Sequence, residues 1–237
     1  MPTLPDLVDK DGKPIVLSFL QLNDYITCPK RFGHRHYFHD AYERKSKQQT
    51  SGIGLHDMVK RRLKLSEPLP EEYAHLEPVC QHVVNRGDHY DVELALGSTV
   101  DGRPCGFFDD SCRLRTRVDL LLTPASGTAP TVACLIDWKE GRPWEDPLEL
   151  KLQALLLKIH KPQLESVTGF YFWIKELRPG NLYRLDDFEK TWANLYRWMT
   201  GIKFRIEGND WPPDEGPLCG WCPVTKQQCA FKRDRKQ

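Results

Sequence analysis

Asp119 and the run Ile136-Asp137-Trp138-Lys139 place two carboxylates and an ammonium on neighbouring apolar stretches. Strand residues two apart share a face, so Asp137 and Lys139 project together while Ile136 and Trp138 face the other way. On the preceding stretch Asp119 alternates with Val118 and Leu120, and pairing across a hairpin would bring it beside Asp137. Two carboxylates in a partly buried site repel unless a cation sits between them. Oxygen ligands suit Mg2+ or Mn2+, which lowers the pKa of a bound water and stabilises charge building on a phosphate. Lys139 would supply a nearby positive donor. An Asp-x-Lys triplet also occurs on exposed strands, but this one closes an apolar strand and precedes Glu140-Gly141, which argues against a solvated ribbon.

Three further residues are open to two readings. His56 follows Gly52-Ile53-Gly54-Leu55 on a helical stretch, where a lone histidine is often structural or superficial. Gln153 sits among Leu150, Leu152, Leu155 and Leu157. An unpaired buried amide costs ~1–3 kcal/mol, so Gln153 either meets backbone groups or reaches the site. Glu93 points towards the same pocket or faces water.

A second constellation is cysteine-based. Cys219, Cys222 and Cys229 form C-x2-C-x6-C in a turn-rich tail, and Cys28 lies near the other end before Pro29. Thiolates bind Zn2+ tetrahedrally or hold an iron–sulfur cluster, and either needs four ligands. Cys28 is the best-placed fourth ligand, with Cys80, Cys105, Cys112 and Cys134 as competitors that otherwise read as small buried hydrophobes. A Cys219–Cys222 disulfide is the remaining alternative. Spacing does not separate zinc from a four-iron cluster.

The elements that must position these residues follow from periodicity. Residues 1–16 read as a polar, extended lead-in. Ser18 caps a helix through Phe19 to Ile26 that stops at Cys28-Pro29, and a second helical stretch turns Phe32, Tyr37 and Phe38 inward. Gly52–Leu65 and Glu71–Arg86 are helical, separated by Pro68 and Pro70. Val92–Leu96, Arg115–Leu122 and Val132–Trp138 are strands, the last two joined by the 123–130 loop as an antiparallel hairpin. Pro147–His160 is an apolar helix and Val167–Ile174 a strand. Asp186–Ile206 is a long helix whose Phe188, Trp192, Leu195, Trp198 and Met199 form a core stripe. A mixed α/β domain with a central sheet results.

The 237 residues suffice for a full core, and a 40% hydrophobic, 28% charged composition is that of a globular chain. No apolar run approaches the ~18–20 residues of a membrane span. The opening residues lack a signal-peptide pattern, so a cytoplasmic location is expected and eight cysteines do not imply a disulfide scaffold. Net charge is only +1, but nine Lys/Arg against three acids fall between Cys28 and Arg62, and the tail after Cys222 is basic too. If the cysteines join the chain ends, these patches merge into a phosphate-binding surface, with Lys30, Arg31, Lys60 and Arg61 as candidate DNA contacts. Each patch alone also reads as a solvated face.

Taken in order, the pieces are Leu17-Ser18-Phe19 through Thr27-Cys28-Pro29-Lys30-Arg31-Phe32, Gly52-Ile53-Gly54-Leu55-His56, Arg117-Val118-Asp119-Leu120, Ile136-Asp137-Trp138-Lys139-Glu140-Gly141, Gln153, and Cys219-Gly220-Trp221-Cys222 with Cys229. This set resembles the RecB-type branch of the PD-(D/E)XK nuclease superfamily. It is most similar to the iron–sulfur exonucleases of the CRISPR-adaptation and AddB kind. The resemblance implies a restriction-endonuclease-like fold, a central mixed sheet flanked by helices. It implies one nuclease domain over 1–237, with a catalytic core at about 50–175 and an iron–sulfur staple from about 17–45 and 185–232. It assigns His56, Asp119 and Asp137 to the catalytic Mg2+ or Mn2+, with the Trp138 carbonyl as a further ligand. Lys139 would position the attacking water and steady the scissile phosphate, Gln153 would support the site or contact DNA, and Glu93 matches the acid of the first core strand. Cys28, Cys219, Cys222 and Cys229 would hold a structural [4Fe-4S] cluster.

The chain departs from the family at Leu157, where a tyrosine is frequent, at Thr116, where a glycine is frequent, and in the six-residue final cysteine gap. No Gly-x4-Gly-Lys-Ser/Thr phosphate loop is present, so ATP-driven unwinding is not expected. The expected function is a metal-dependent DNA exonuclease on single strands or frayed ends, serving recombination, repair, phage replication or CRISPR adaptation; the sequence leaves protein partners in recombination or CRISPR adaptation open. The alternatives are an endonuclease or flap nuclease on branched DNA, and a non-catalytic DNA-binding iron–sulfur or zinc module.

Overall fold

The computed structural model describes residues 2–42, 47–85, 89–125, 131–141, 143 and 146–233, with side chains of its third helix from Gly54 onward. The helices are α1 (Phe19–Thr27), α2 (Pro29–Phe32), α3 (Lys47–Leu65), α4 (Glu77–Asn85), α5 (Leu148–His160) and α6 (Phe188–Gly208). The strands are β1 (His89–Ser98), β2 (Pro104–Cys105), β3 (Leu114–Thr123), β4 (Val132–Lys139), β5 (Ser166–Trp173), β6 (Arg178–Pro179) and β7 (Tyr183–Arg184). They form a mixed, mostly antiparallel sheet in the order β2-β1-β3-β4-β5-β6, with β7 also on β5. The chain divides into two compact units, residues 45–96 with 116–191, and residues 1–44 with 97–115 and 192–237.

In the first unit, β3 and β4 form the expected antiparallel hairpin, with Leu120 opposite Ile136 and Leu122 opposite Cys134. One more step of that register sets Asp119 beside Asp137. β4 and β5 run parallel from Val132↔Ser166 to Lys139↔Trp173, a pairing that needs a crossover, and α5 supplies it. On one sheet face Leu55, Val59 and Leu63 of α3 and Cys80 and Val83 of α4 pack on Leu120, Leu122, Ile136, Trp138 and Phe172. Burying each such side chain contributes roughly 1.5–3 kcal/mol. α5 lies against β4 and β5, with Leu150, Leu155 and Leu157 fully buried. Alternation along β4 therefore leaves Asp137 facing α5 rather than the α3–α4 core. Gly169 on β5 lies so close to Leu135 and Leu185 that a Cβ there would meet Leu185 Cδ1 at 2.8 Å.

In the second unit the Ser18 N–H donates to Gln21 Oε1 at 3.0 Å, closing the capping box of α1, and Pro29 ends that helix at Cys28. α2 continues into a π-helical turn, Gly33–Tyr37, within the helical stretch expected there. Trp211 packs against it: its ring stacks on Phe32 at 5.8 Å and approaches Gly33 so closely that a Cβ would lie 2.6 Å from it. The lead-in also differs from expectation. Leu4, Leu7, Ile15 and Leu17 are buried, and Leu17 bridges to Leu114. Trp192, Leu195 and Met199 of α6 are buried as the stripe predicted, and Trp192 Nε1 donates to the Pro2 carbonyl at 2.8 Å. No helix among the described residues is long and apolar enough to cross a membrane.

Candidate functional site

β3, β4, β1 and α3 converge on one acidic pocket. His56 follows Leu55, which the core fixes, and its Nδ1 stands 3.2 Å from Asp119 Oδ1 and 3.5 Å from Glu93 Oε1. One donor atom from each of His56, Glu93 and Asp119 lies within 4.8 Å of the others, a spacing suited to a shared cation. Glu93 has a left-handed backbone (φ 55°) inside a strand, a conformation that costs on the order of 1–2 kcal/mol for a non-glycine residue. Such strain gathers where a side chain must be aimed at a site. Asp119 is fixed by the Trp138 backbone N–H, which donates to its Oδ2 at 2.9 Å. Trp138 thus serves the pocket through its amide, and its indole lies in the core.

Asp137, 3% exposed, turns its oxygens to α5 and to its own strand. Gln153 Nε2 donates to Asp137 Oδ1 at 3.1 Å and to the Arg117 carbonyl at 3.4 Å, so both expected roles of that amide are combined. Lys139 Nζ lies 2.6 Å from Asp137 Oδ2 and 2.8 Å from Glu149 Oε2, above the Tyr171 ring at 5.3 Å. Glu149 and Tyr171 were not singled out in the sequence. Glu149 stands one helical turn before Gln153, and that i, i+4 spacing on a helix facing β4 was the available signal. Arg117 joins the rim, half-exposed and 3.5 Å from Glu93.

The charges strain against one another. Burial and then the neighbouring Asp137 charge push Asp119 up to about 6, although His56 and the Trp138 amide pull it down. Burial and Asp137 likewise push Glu149 up to about 7, against Lys139. Burial opposes the charge on His56, but hydrogen bonds to Asp119 and Glu93 outweigh it and carry the ring up to about 10. Burial also opposes the Lys139 charge, and Asp137 and Glu149 outweigh it, holding the ammonium above the ordinary lysine range. A divalent cation among these oxygens would relieve the carboxylate repulsion and replace the proton on His56.

The cysteine constellation lies in the other unit. Cys28, Cys219, Cys222 and Cys229 line one cavity of about 280 Å³ together with Thr27, Lys30, Arg31 and Lys232. All four thiols are free, so Cys219 and Cys222 are not bridged. The competitors are placed elsewhere: Cys80 and Cys134 pack in the helix–sheet core, and the Cys105 and Cys112 thiols meet each other. Backbone N–H groups of Asp214 and Gly216 donate to the Cys28 and Cys219 sulfurs at 3.3 and 3.4 Å. Burial pushes the Cys222 thiol up and the Cys28 charge adds to this, while the Val224 amide, Arg31 and Lys232 work the other way. Lys232 Nζ donates to the Gly220 carbonyl at 3.1 Å and to the Cys222 carbonyl at 2.5 Å, pinning the turn between the two cysteines.

Among the described residues, the arginines of the basic patches are held in ion pairs. Asp24, fully buried, holds Arg31 at 2.8 Å, Arg35 at 2.6 Å and His36 at 2.7 Å. Arg61 pairs with Glu67 and Arg62 with Glu77. Arg31 and Arg61 are thus tied into the protein rather than presented singly. Lys30 lines the cysteine cavity, and Lys60 acts electrostatically on Glu93. The side chains of Arg44, Lys45, Lys47, Arg235 and Lys236 lie outside the described residues.

No protein-family profile matches the chain, and no curated protein does. Among solved structures, one from Eubacterium rectale described as a "putative exonuclease" is 11% identical, with a TM-score of 0.49, covering 94% of this chain and 90% of that one. The solved structure of SSO0001 is 13% identical, with a TM-score of 0.41, covering 90% of this chain and 85% of that one.

Proposed function

We propose that the chain is a divalent-cation-dependent DNA exonuclease that hydrolyses phosphodiester bonds in single strands or at frayed ends. The observation that carries this reading is the convergence of His56, Glu93 and Asp119 beside the Asp137–Lys139–Glu149 row. The mixed nitrogen and carboxylate donor set suits Mn2+ as well as Mg2+. His56, Glu93 and Asp119 would hold the cation, with Asp137 and the Trp138 carbonyl as further ligands from β4. When bound, the cation supplies positive charge to a phosphate oxygen and acidifies a coordinated water.

The protein's own groups do the rest. The Trp138 amide keeps Asp119 aimed at the pocket, and Gln153 holds one oxygen of Asp137 from α5. Lys139, charged and half-buried, offers the donor that steadies charge developing on the scissile phosphate. Arg117 at the rim attracts the incoming backbone. With both ends of the row fixed from α5, little rearrangement is required at the moment of reaction.

The cysteine cavity would hold an iron–sulfur cluster with a structural role. Backbone amides donate to two of the four sulfurs around a cavity of about 280 Å³, a setting that supports an anionic iron–sulfur group. In this reading the chain is one nuclease domain, its 45–96 and 116–191 unit holding the chemistry and its cysteine unit stapling the chain ends, and the whole serves recombination, repair, phage replication or CRISPR adaptation.

The test is digestion of single-stranded DNA with Mn2+ and with Mg2+, comparing linear strands blocked at either end with circles. Cleavage of open linear strands and sparing of circles is expected. Cutting of circles would replace the exonuclease reading by an endonuclease one, and inertness towards both would leave no nuclease.

A further inference from the structure

Asp137 faces two competing partners. Its Oδ1 accepts from Gln153 at 3.1 Å, and its Oδ2 forms a 2.6 Å ion pair with Lys139 Nζ. Its oxygens also lie outside the tight His56–Glu93–Asp119 group. An ammonium at that distance repels a dication approaching the same oxygen. Gln153, 1% exposed in the middle of α5, divides its amide between Asp137 and the Arg117 carbonyl. Lys139 has a second carboxylate. Its Nζ already reaches Glu149 Oε2 at 2.8 Å, over the Tyr171 ring. The Tyr171 hydroxyl donates to the Asp146 carbonyl at 2.7 Å, which ties that ring to the start of α5 and so to Glu149. The ammonium therefore sits between two carboxylates on a fixed aromatic floor.

We propose that Glu149 is a positioning residue: it takes over the Lys139 ammonium when Asp137 turns to a divalent cation, so that Lys139 is the internal counter-ion the metal displaces. The inference rests on the cation-binding reading of the His56–Glu93–Asp119 group. Without Glu149 the ammonium has Asp137 as its remaining carboxylate partner, and the metal must compete for that oxygen directly. With Glu149 the ammonium shifts by less than a side-chain length and stays on the face where a phosphate would meet it.

Mn2+ titration calorimetry on the full chain tests this without reference to catalysis. Glu149→Gln, nearly isosteric, is expected to weaken Mn2+ binding about tenfold, the lower end of what outer-sphere partners of a metal site are worth. Glu149→Asp, which keeps the charge, is expected to lose less and serves as the second variant. In a Lys139→Met background, where no ammonium occupies Asp137, adding Glu149→Gln is expected to change the affinity little. Wild-type affinity in Glu149→Gln, or an equal loss in both backgrounds, would overturn the proposal, because a merely structural Glu149 would act regardless of Lys139. Failure of the wild-type chain to bind Mn2+ would overturn the metal reading itself and this inference with it.

Discussion

The imidazole Nδ1 of His56 lies 3.2 Å from the Asp119 carboxylate, joining helix α3 to strand β3 at the point where Glu93 also arrives. In the cation-free chain this contact is an ion pair, and its sign with respect to pH is set. The folded His56 ring titrates near 10, above its ordinary 6.5, so its stabilisation is complete below about pH 6.5 and is lost as pH rises towards 10. Asp119 and Glu149 titrate near 6 and 7, above their ordinary values of 3.8 and 4.5. The fold thus favours their protonated forms, and stability falls as pH rises through the ~4–7 window. All three effects have one sign. Thermal melting of the metal-free chain should show Tm falling from pH 5 to pH 9, and saturating Mn2+ should flatten or reverse that trend. A Tm that rises with pH in the absence of metal would contradict the geometry of this pocket.

In the proposed reaction Gln153 would act through Asp137, whose carboxylate its amide holds. Gln153→Leu should keep the fold, because six of its helix neighbours, Leu150, Leu152, Ala154, Leu155, Leu156 and Leu157, are already buried. Turnover with Mn2+ should fall about 10–100-fold, as for other residues that orient a metal ligand. Steady-state kinetics on a labelled single strand measure this, with melting as the control.

Asp24 anchors the cysteine unit by a different device. Removing it leaves Arg31, Arg35 and His36 without the carboxylate they share in the interior. Breaking a buried ion pair in this way typically costs about 3–5 kcal/mol. Asp24→Ala should therefore lower the urea midpoint by a corresponding amount and reduce metal or cluster retention in the cysteine cavity. Unchanged stability would mean that the two guanidinium groups and His36 find other partners.

Cys28→Ser is expected to behave like Cys219→Ser, Cys222→Ser and Cys229→Ser. Each should lose iron and sulfide together with the ~400 nm absorption of anaerobically purified protein. Cys80→Ser and Cys134→Ser should retain both, since those residues pack in the other unit's core. Stoichiometric zinc in place of iron would correct the cluster assignment while leaving the four-cysteine set intact.

How far the sequence disclosed this arrangement depends on the range of the interaction. The β3–β4 hairpin and the facing of Asp119 and Asp137 were legible because strand alternation is local and both segments are strongly apolar. Glu149 was not, because Leu-Glu-Leu-Lys-Leu-Gln reads as core helix until β4 is known to lie against its polar face. Glu93 was ambiguous because its aim depends on a left-handed backbone that no side-chain pattern announces. The lead-in was misjudged for a related reason: Leu4, Leu7 and Ile15 are too few and too interrupted by prolines to show a period, yet they are buried in their unit. Arg31, Arg35 and Arg62 looked available to phosphates because counting charges within the run does not see that Asp24 and Glu77, outside it, pair with them.

The most direct measurement is anomalous diffraction from a crystal of the protein soaked in Mn2+. The account predicts one strong peak at roughly 2–2.3 Å from His56 Nδ1 and from carboxylate oxygens of Glu93 and Asp119. A peak elsewhere, or none at that pocket with His56 still paired to Asp119, would contradict it.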